Sequence, residues 1–202
     1  MKVTYQFNDV PFENNSVITV GSFDGMHLAH QIVIEEVVRR ANTRKGRSVV
    51  VTFDPHPKQV LAKPGEEVYL LSTVEERKAI CESLGVDLFL VIKFTYDFSR
   101  QRFREFYERY VINGIGVSEV VEGYDHHFGR DREGSVEELL RMGKEFEFSV
   151  VAMKPVHEGK EPVSSSGIRK HLVNGNVERA ATLLGRPYSL RGTVVRGAGR
   201  GK

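Results

Sequence analysis

Two histidines stand three residues apart in the stretch "GSFDGMHLAH", Gly21 to His30, directly after the apolar run "SVITVG". Two readings compete for His27 and His30. Either they are partly buried side chains in the first turn of a helix, or they are imidazoles aimed at a nucleotide from a phosphate-handling turn. Carried along the helical period, they fall on the same side as Val33, Ile34, Val37, Val38 and Ala41, not on the charged face. In the middle of a helix that would make them core residues. In the first turn, the inward stripe emerges at the strand ends and looks into a crevice. Unpaired N–H groups and the positive end of the helix dipole make that position a natural phosphate site.

A second cluster lies in "VSSSGIRKHL", Val163 to Leu172. Ser164, Ser165 and Ser166 precede a helix with Ile168 and Leu172 inward, and one serine suffices as N-cap. Three serines with Arg169 can offer hydroxyls, helix N–H groups and a guanidinium to phosphate oxygens. The alternative is a capped helix with a solvated arginine. Taken together, the clusters predict two helix N-termini converging on a polyphosphate. The chemistry this suits is nucleotidyl transfer, where in-line attack at an α-phosphate needs positioning and charge stabilisation more than a covalent nucleophile. An attacking phosphate, with its second pKa of about 6, is mostly dianionic at neutral pH and needs no general base. The sequence contains no Gly-x-Ser-x-Gly elbow, no Walker loop and no His-Glu-x-x-His helix.

The elements that must position these groups alternate between strand and helix. Strands are expected at Ser16–Gly21, Arg47–Phe53, Leu88–Phe94, Ser118–Val121 and Phe148–Met153. The helix after the first strand carries Glu35–Arg39 and Glu36–Arg40 at i,i+4 spacing. A capping box, Thr73 with Glu76, opens a helix that ends at Gly85. Further helices are expected around Ser99–Val111, Ser135–Lys144 and Val177–Leu184, the last ended by Gly185. Near-continuous apolar strands between amphipathic helices indicate an α/β fold with a parallel, doubly wound sheet. Ligands of such sheets bind beyond the carboxyl ends of the strands, where the first cluster would lie.

Composition agrees with an ordinary globular chain. Its 202 residues carry 29 Lys+Arg against 27 Asp+Glu, which gives no electrostatic argument for a nucleic-acid partner. The single cysteine, Cys81, excludes an internal disulfide, fits a reducing compartment and reads as a buried small hydrophobe. The N-terminus lacks the apolar core of a secretory signal, and "LFLVI" is too short to span a bilayer, so a cytoplasmic protein without a membrane partner is expected. The adjacent histidines of "DHHF" point to opposite sides of an extended chain and read as a loop, not a metal site.

With both clusters and their order in hand, the chain resembles the prokaryotic bifunctional riboflavin kinase/FMN adenylyltransferases, or FAD synthetases, over nearly its whole length. "TVGSFDGMHLAHQ" resembles the His-x-Gly-His signature of that nucleotidyltransferase class, and "VSSSGIR" the family's Ser-Ser-Thr-x-Ile-Arg motif. "VVTFDPHP", "LLSTVEERKAICESLGVD", "VVEGYDHHFGRDREG" and "LLGRPYSLRGTVV" follow the family's order. The resemblance implies a Rossmann-like fold and transfer of AMP from ATP with Mg2+ to FMN, giving FAD and pyrophosphate. It implies catalytic roles for His27, His30, Ser165, Ser166 and Arg169. It also implies an ATP site formed by these with Gly21, Ser22, Phe23, Asp24, Gly25, Asp125 and Ser164. Pro55, Pro57 and Phe128 would wall the flavin.

Two departures stand out. Ala29 replaces the usual Gly between the histidines, adding a methyl where ATP approaches, and Ser166 replaces Thr while keeping the hydroxyl. By the same resemblance, residues 1–187 form the adenylyltransferase domain. Residues 188–202, "YSLRGTVVRGAGRGK", are then the start of a riboflavin kinase barrel or a flexible basic tail, and no riboflavin phosphorylation is expected. The rival readings are a related transferase with another phosphate acceptor, such as nicotinamide mononucleotide, phosphopantetheine or glycerol phosphate, and a non-catalytic nucleotide- or RNA-binding module. Oligomeric state is not legible in the sequence.

Overall fold

The computed structural model describes residues 1–123 and 134–197. Strands β1 (Lys2–Thr4), β2 (Val17–Val20), β3 (Ser48–Asp54), β4 (Leu88–Lys93), β5 (Glu119–Gly123) and β6 (Ser149–Met153) form one sheet in the order β1-β4-β3-β2-β5-β6. Every neighbouring pair in it is parallel. The strands at 17–20, 48–54, 88–93, 119–123 and 149–153 were all legible as apolar runs. β1 was not, because three residues at a sheet edge carry too little pattern. Among the described residues, no helix is long and apolar enough to cross a membrane.

Helices α1 (Leu28–Arg44) and α3 (Val74–Ser83) cover one face of the sheet, where Val50, Phe89 and Val91 meet Ile34 and Cys81. Alternate strand residues, Val49, Val51, Phe53, Leu88, Leu90 and Ile92, face the other way. There they pack on α5 (Phe103–Phe106), the segment that follows it, and α6 (Val136–Glu145). Burial on both faces is what makes these strands read as continuous apolar runs. The capping box of α3 forms as expected: Thr73 Oγ1 accepts the Glu76 amide at 3.2 Å, and the Thr73 amide donates back to Glu76 at 2.8 Å.

Two expectations need correction. The helix around Ser99–Val111 is in fact α4 (Tyr96–Ser99), α5, and then a widened π-helical segment, Tyr107–Ile115. Thr95 caps α4 through the Phe98 amide, and Glu105 accepts the Arg102 amide to start α5. Tyr107, Val111 and Ile115 recur every fourth residue, and the wider winding keeps all three buried. On α1, Arg39 pairs with Glu36 and not Glu35. Glu36 takes Arg39 at 2.7 Å and Arg40 at 2.6 Å, and the Arg39 hydrogen bond leads in pulling its carboxyl down to about 2. Arg40 and Arg44 also reach the buried Glu119 at 2.9 and 3.1 Å, which docks α1 on β5.

A short hairpin, β7 (His157–Glu158) with β8 (Glu161–Pro162), precedes α7 (Ser165–Val173) and α8 (Val177–Leu184). Glu161 holds both helices, through His171 at 2.7 Å and Arg179 at 3.0 Å. From Pro187 to Gly197 the chain has neither helix nor strand. α2 (Pro57–Leu61) is a single turn after β3, capped by His56, whose Nδ1 accepts the Lys58 amide at 3.0 Å.

Candidate active site

β2 lies between β3 and β5, where successive strands stop being added on one side and begin on the other. Such a switch point is where ligands of doubly wound sheets bind. β2 and β5 are in register only at Val17–Glu119 and Ile18–Val120. Farther on, the Val20 amide donates at 3.0 Å to the Glu122 carboxylate, which also accepts the Tyr107 hydroxyl at 3.3 Å. The strands therefore part beneath the loop Gly21–Met26.

That loop is conformationally demanding. Phe23, Gly25 and Met26 have φ of 48°, 81° and 42°. Each of the two non-glycine residues costs roughly 1 kcal/mol or more in that region. Four side chains from three distant segments hold it. Arg77 Nη1 donates to the Ser22 carbonyl at 2.8 Å. Ser72 Oγ accepts the Gly25 amide at 2.7 Å. Arg186 donates to the carbonyls of Gly25 at 2.8 Å and Met26 at 3.0 Å. Ser165 Oγ donates to the Asp24 carbonyl at 2.9 Å.

Asp24 is the hub. One carboxylate oxygen accepts the amides of Leu71 at 2.9 Å and Ser72 at 3.0 Å, and the other pairs with Arg169. Only 2% exposed, it is engaged on both oxygens. Arg169 also donates from Nε to the Tyr69 carbonyl at 2.7 Å, so among the described residues Nη1 is the guanidinium nitrogen without a hydrogen-bond partner.

The histidines lie where α1 begins. His27 is the N-cap, and its Nδ1 accepts the His30 amide at 3.4 Å. The two rings stack at 3.6 Å between centroids, 17° from parallel, and Phe23 meets His30 edge-on at 5.3 Å. Burial, reinforced by the charges of His27 and Arg77, holds the His30 imidazole well below its ordinary pKa. It is therefore neutral at pH 7, with Nδ1 buried and without a hydrogen-bond partner among the described residues. A neutral imidazole still donates a hydrogen bond, and it does so where charge develops without first shedding a counter-ion.

The three serines divide their work. Ser164 caps α7 by accepting the Gly167 amide at 3.2 Å, Ser165 ties α7 to Asp24, and Ser166 is exposed on the first turn. The structure thus joins Asp24, Ser165 and Arg169 by direct bonds and sets His27 and His30 three and six residues after Asp24, at the start of α1. Pro55 is exposed and Pro57 half-buried in the neighbouring loop after β3. Asp125, Phe128 and the "DHHF" histidines lie outside the described residues.

Sequence reasoning missed Arg77, Ser72, Arg186 and His56. Arg77 had a signal: it is four residues before the buried Cys81 on α3, hence on its inward face. His56 is buried, and its pKa is pushed down to about 4, by burial above all. Ser72 and Arg186 carry no such local sign, since they act on a loop remote from them in the chain.

A parallel sheet with its switch point at β2, met by two helix N-termini, has the architecture of the α/β nucleotidyltransferases. A solved structure from Streptococcus pneumoniae, described as a macrolide-efflux protein, matches with a TM-score of 0.83 at 29% identity, over 98% of this chain and 64% of that one. Pantothenate synthetase from Thermus thermophilus matches at 0.53 and 16% identity over 92% and 81%, a likeness of fold alone. Within that class the chain belongs to the FAD synthetase family, whose model matches residues 9–167. The bifunctional riboflavin kinase/FMN adenylyltransferase of Listeria monocytogenes is 35% identical over 93% of this chain and 59% of its own length. That of Bacillus subtilis is 34% identical over 93% and 58%. The chain spans about three fifths of the length of these curated relatives.

Proposed function

We propose that the chain transfers AMP from Mg-ATP to FMN, giving FAD and pyrophosphate. A phosphate oxygen of FMN attacks the α-phosphorus of ATP, and the bond to the α,β-bridging oxygen breaks as pyrophosphate leaves. The observation that carries this reading is the convergence of the α1 and α7 N-termini on the loop Gly21–Met26 at the switch point, in a chain of the FAD synthetase family.

His27 and His30 are assigned to the phosphates and the developing charge, and Arg169 Nη1 and the Ser166 hydroxyl to the triphosphate, with the first amides of α7. Gly21 to Gly25, Ser164 and Ser165 shape the ATP loop, and Asp24 acts by holding Arg169 and Ser165 in place. Asp125 is proposed beside the nucleotide, and Pro55, Pro57 and Phe128 beside the flavin. Magnesium enters with ATP as substrate. Residues 1–187 are proposed as the transferase unit, and 188–202 as the stretch leading toward the kinase part of the relatives. The riboflavin kinase activity in the relatives' name is not assigned to residues 1–187. A reducing, cytoplasmic setting is proposed with the lone buried Cys81.

The test is incubation of the full chain with FMN, ATP and magnesium, with FAD followed by chromatography and His30→Ala as control. FAD formed by the wild type and lost in the variant supports the assignment. A folded, ATP-binding protein that makes no FAD from FMN, yet adenylylates another phosphate acceptor, overturns it.

A further inference from the structure

Arg77 on α3 is among the largest fully buried side chains of the molecule, 2% exposed. Its Nη1 donates to the Ser22 carbonyl at 2.8 Å, to Thr52 Oγ1 at 2.8 Å and to the Phe53 carbonyl at 3.3 Å. Its Nε reaches the Thr73 carbonyl of its own helix at 3.4 Å. Thr52 Oγ1 closes the figure by donating to the Ser22 carbonyl at 3.2 Å. One nitrogen thus joins the chain as it leaves β2 with the chain as it leaves β3. The ladder between these strands runs from Val17–Ser48 to Val20–Val51, and the Gly21 amide adds one bond to the Val51 carbonyl at 3.0 Å. Past that point the strands lose each other, and Arg77 replaces the ladder.

Its charge has a second consequence. Among the described residues no carboxylate lies in ion-pair contact with Arg77; Asp24 and Asp54 act on it only from farther away. A buried cation satisfied by carbonyl and hydroxyl dipoles leaves positive potential at the strand ends, where anionic ligands arrive.

We propose that Arg77 is a positioning residue that holds the loop after β2, assigned to ATP, and the loop after β3, assigned to FMN, in one fixed relation, with a buried charge that the substrates' phosphates complete. The roles of the two loops rest on the adenylyl-transfer reading; the mechanical coupling between them does not.

The experiment uses the full chain with Arg77→Met, Arg77→Lys and Thr52→Val. Amide hydrogen exchange of residues 21–26 and 54–58 is read without ligand, and KM for ATP, KM for FMN and kcat are read separately. Arg77→Met is expected to speed exchange in both loops together and to lower kcat/KM for both substrates by about a hundredfold, the scale of an ångström-sized misplacement. Arg77→Lys keeps the charge, but its arm is one bond shorter and its ammonium falls short of the two carbonyls. It is expected to bring both KM values back to within about threefold of wild type while kcat stays low. Thr52→Val, the milder change if Arg77→Met fails to fold, is expected to loosen both loops in the same sense.

Loosening of only one loop, or loss of thermal stability with unchanged exchange and unchanged KM values, overturns the proposal. If the wild type makes no FAD, the adenylyl-transfer reading fails, while coupled exchange in the two loops still upholds the clamp and uncoupled exchange still removes it.

Discussion

Arg169, near the start of α7, ion-pairs with Asp24, which precedes it by 145 residues and lies in the loop after β2. The pair is the joint between the two sequence clusters, since the Asp24 carbonyl also receives Ser165. Asp24 is buried while Arg169 keeps about a fifth of its side chain in water. Replacing Arg169 by Ala strands a buried carboxylate, with about 2 kcal/mol of stability lost in denaturant titration. Arg169→Lys is expected to restore little, because a single ammonium cannot reach the Tyr69 carbonyl and Asp24 as the guanidinium fork does. Both variants are expected to transfer AMP at least tenfold more slowly, as losses of a positioned charge in a site do.

Acid should weaken the fold in a defined window. His56 is held neutral, with its pKa pushed from 6.5 down to about 4, and His30 is shifted in the same direction. As pH falls below about 6.5 the unfolded chain takes up protons that the native state refuses, so stability falls until the native groups titrate as well. His56 alone accounts for about 3 kcal/mol across that window. Denaturant titrations at pH 7.5, 6 and 4.5 are expected to show the decline, and His56→Asn, which keeps an N-cap acceptor, is expected to flatten part of it.

Two glycines are expected to resist alanine. Gly25 has φ of 81°, and a Cβ there would sit 2.8 Å from Leu71 Cδ1. Gly185, at φ 71°, ends α8 against Leu28, whose Cδ2 would lie 2.5 Å from the added carbon. Each substitution combines left-handed strain with a clash and is expected to cost about 2 kcal/mol or more, read by thermal melting. Gly25→Ala should also weaken ATP binding, because Leu71 and Gly25 both belong to the loop's support.

Cys81 is fully buried, and desolvation pushes its thiol up to about 12. In native protein it is expected to react with a thiol reagent only as fast as the chain opens. Labelling that matches an exposed thiol, without denaturant, would contradict its place under α1 and β4.

Ala29 packs at the edge of the apolar cluster built from Leu71, Val163, Ile168 and α8. Ala29→Gly is therefore expected to lose about 1 kcal/mol through helix propensity and lost contact. ATP affinity is expected to stay within about twofold, the scale of a few tenths of a kcal/mol. Calorimetric titration alongside a melt separates this from the crowding of ATP that the sequence suggested.

The sequence by itself determined what short-range patterns encode. Apolar, β-branched runs at Ser16–Gly21, Arg47–Phe53 and Leu88–Phe94 read as strands buried on both faces. Thr73 with Glu76 marked a helix start, and His27, His30 and Ser164 to Ser166 stood at helix N-termini, positions suited to anions. Those signals are local, set by neighbours within a turn or a pleat. The segment 96–115 resisted because a four-residue apolar spacing does not announce a π-helix. β1 resisted because it is three residues long and pairs with β4, more than eighty residues away. Tertiary structure alone decided that β2 lies beside β5, so that the loop Gly21–Met26 sits at the switch point. It alone made Asp24 a hub, and turned Arg77 and Arg186 into clamps on backbone carbonyls. The physical reason is the same in each case. A left-handed loop at a strand end needs hydrogen-bond partners that its own neighbours cannot supply, and only the folded chain brings them there.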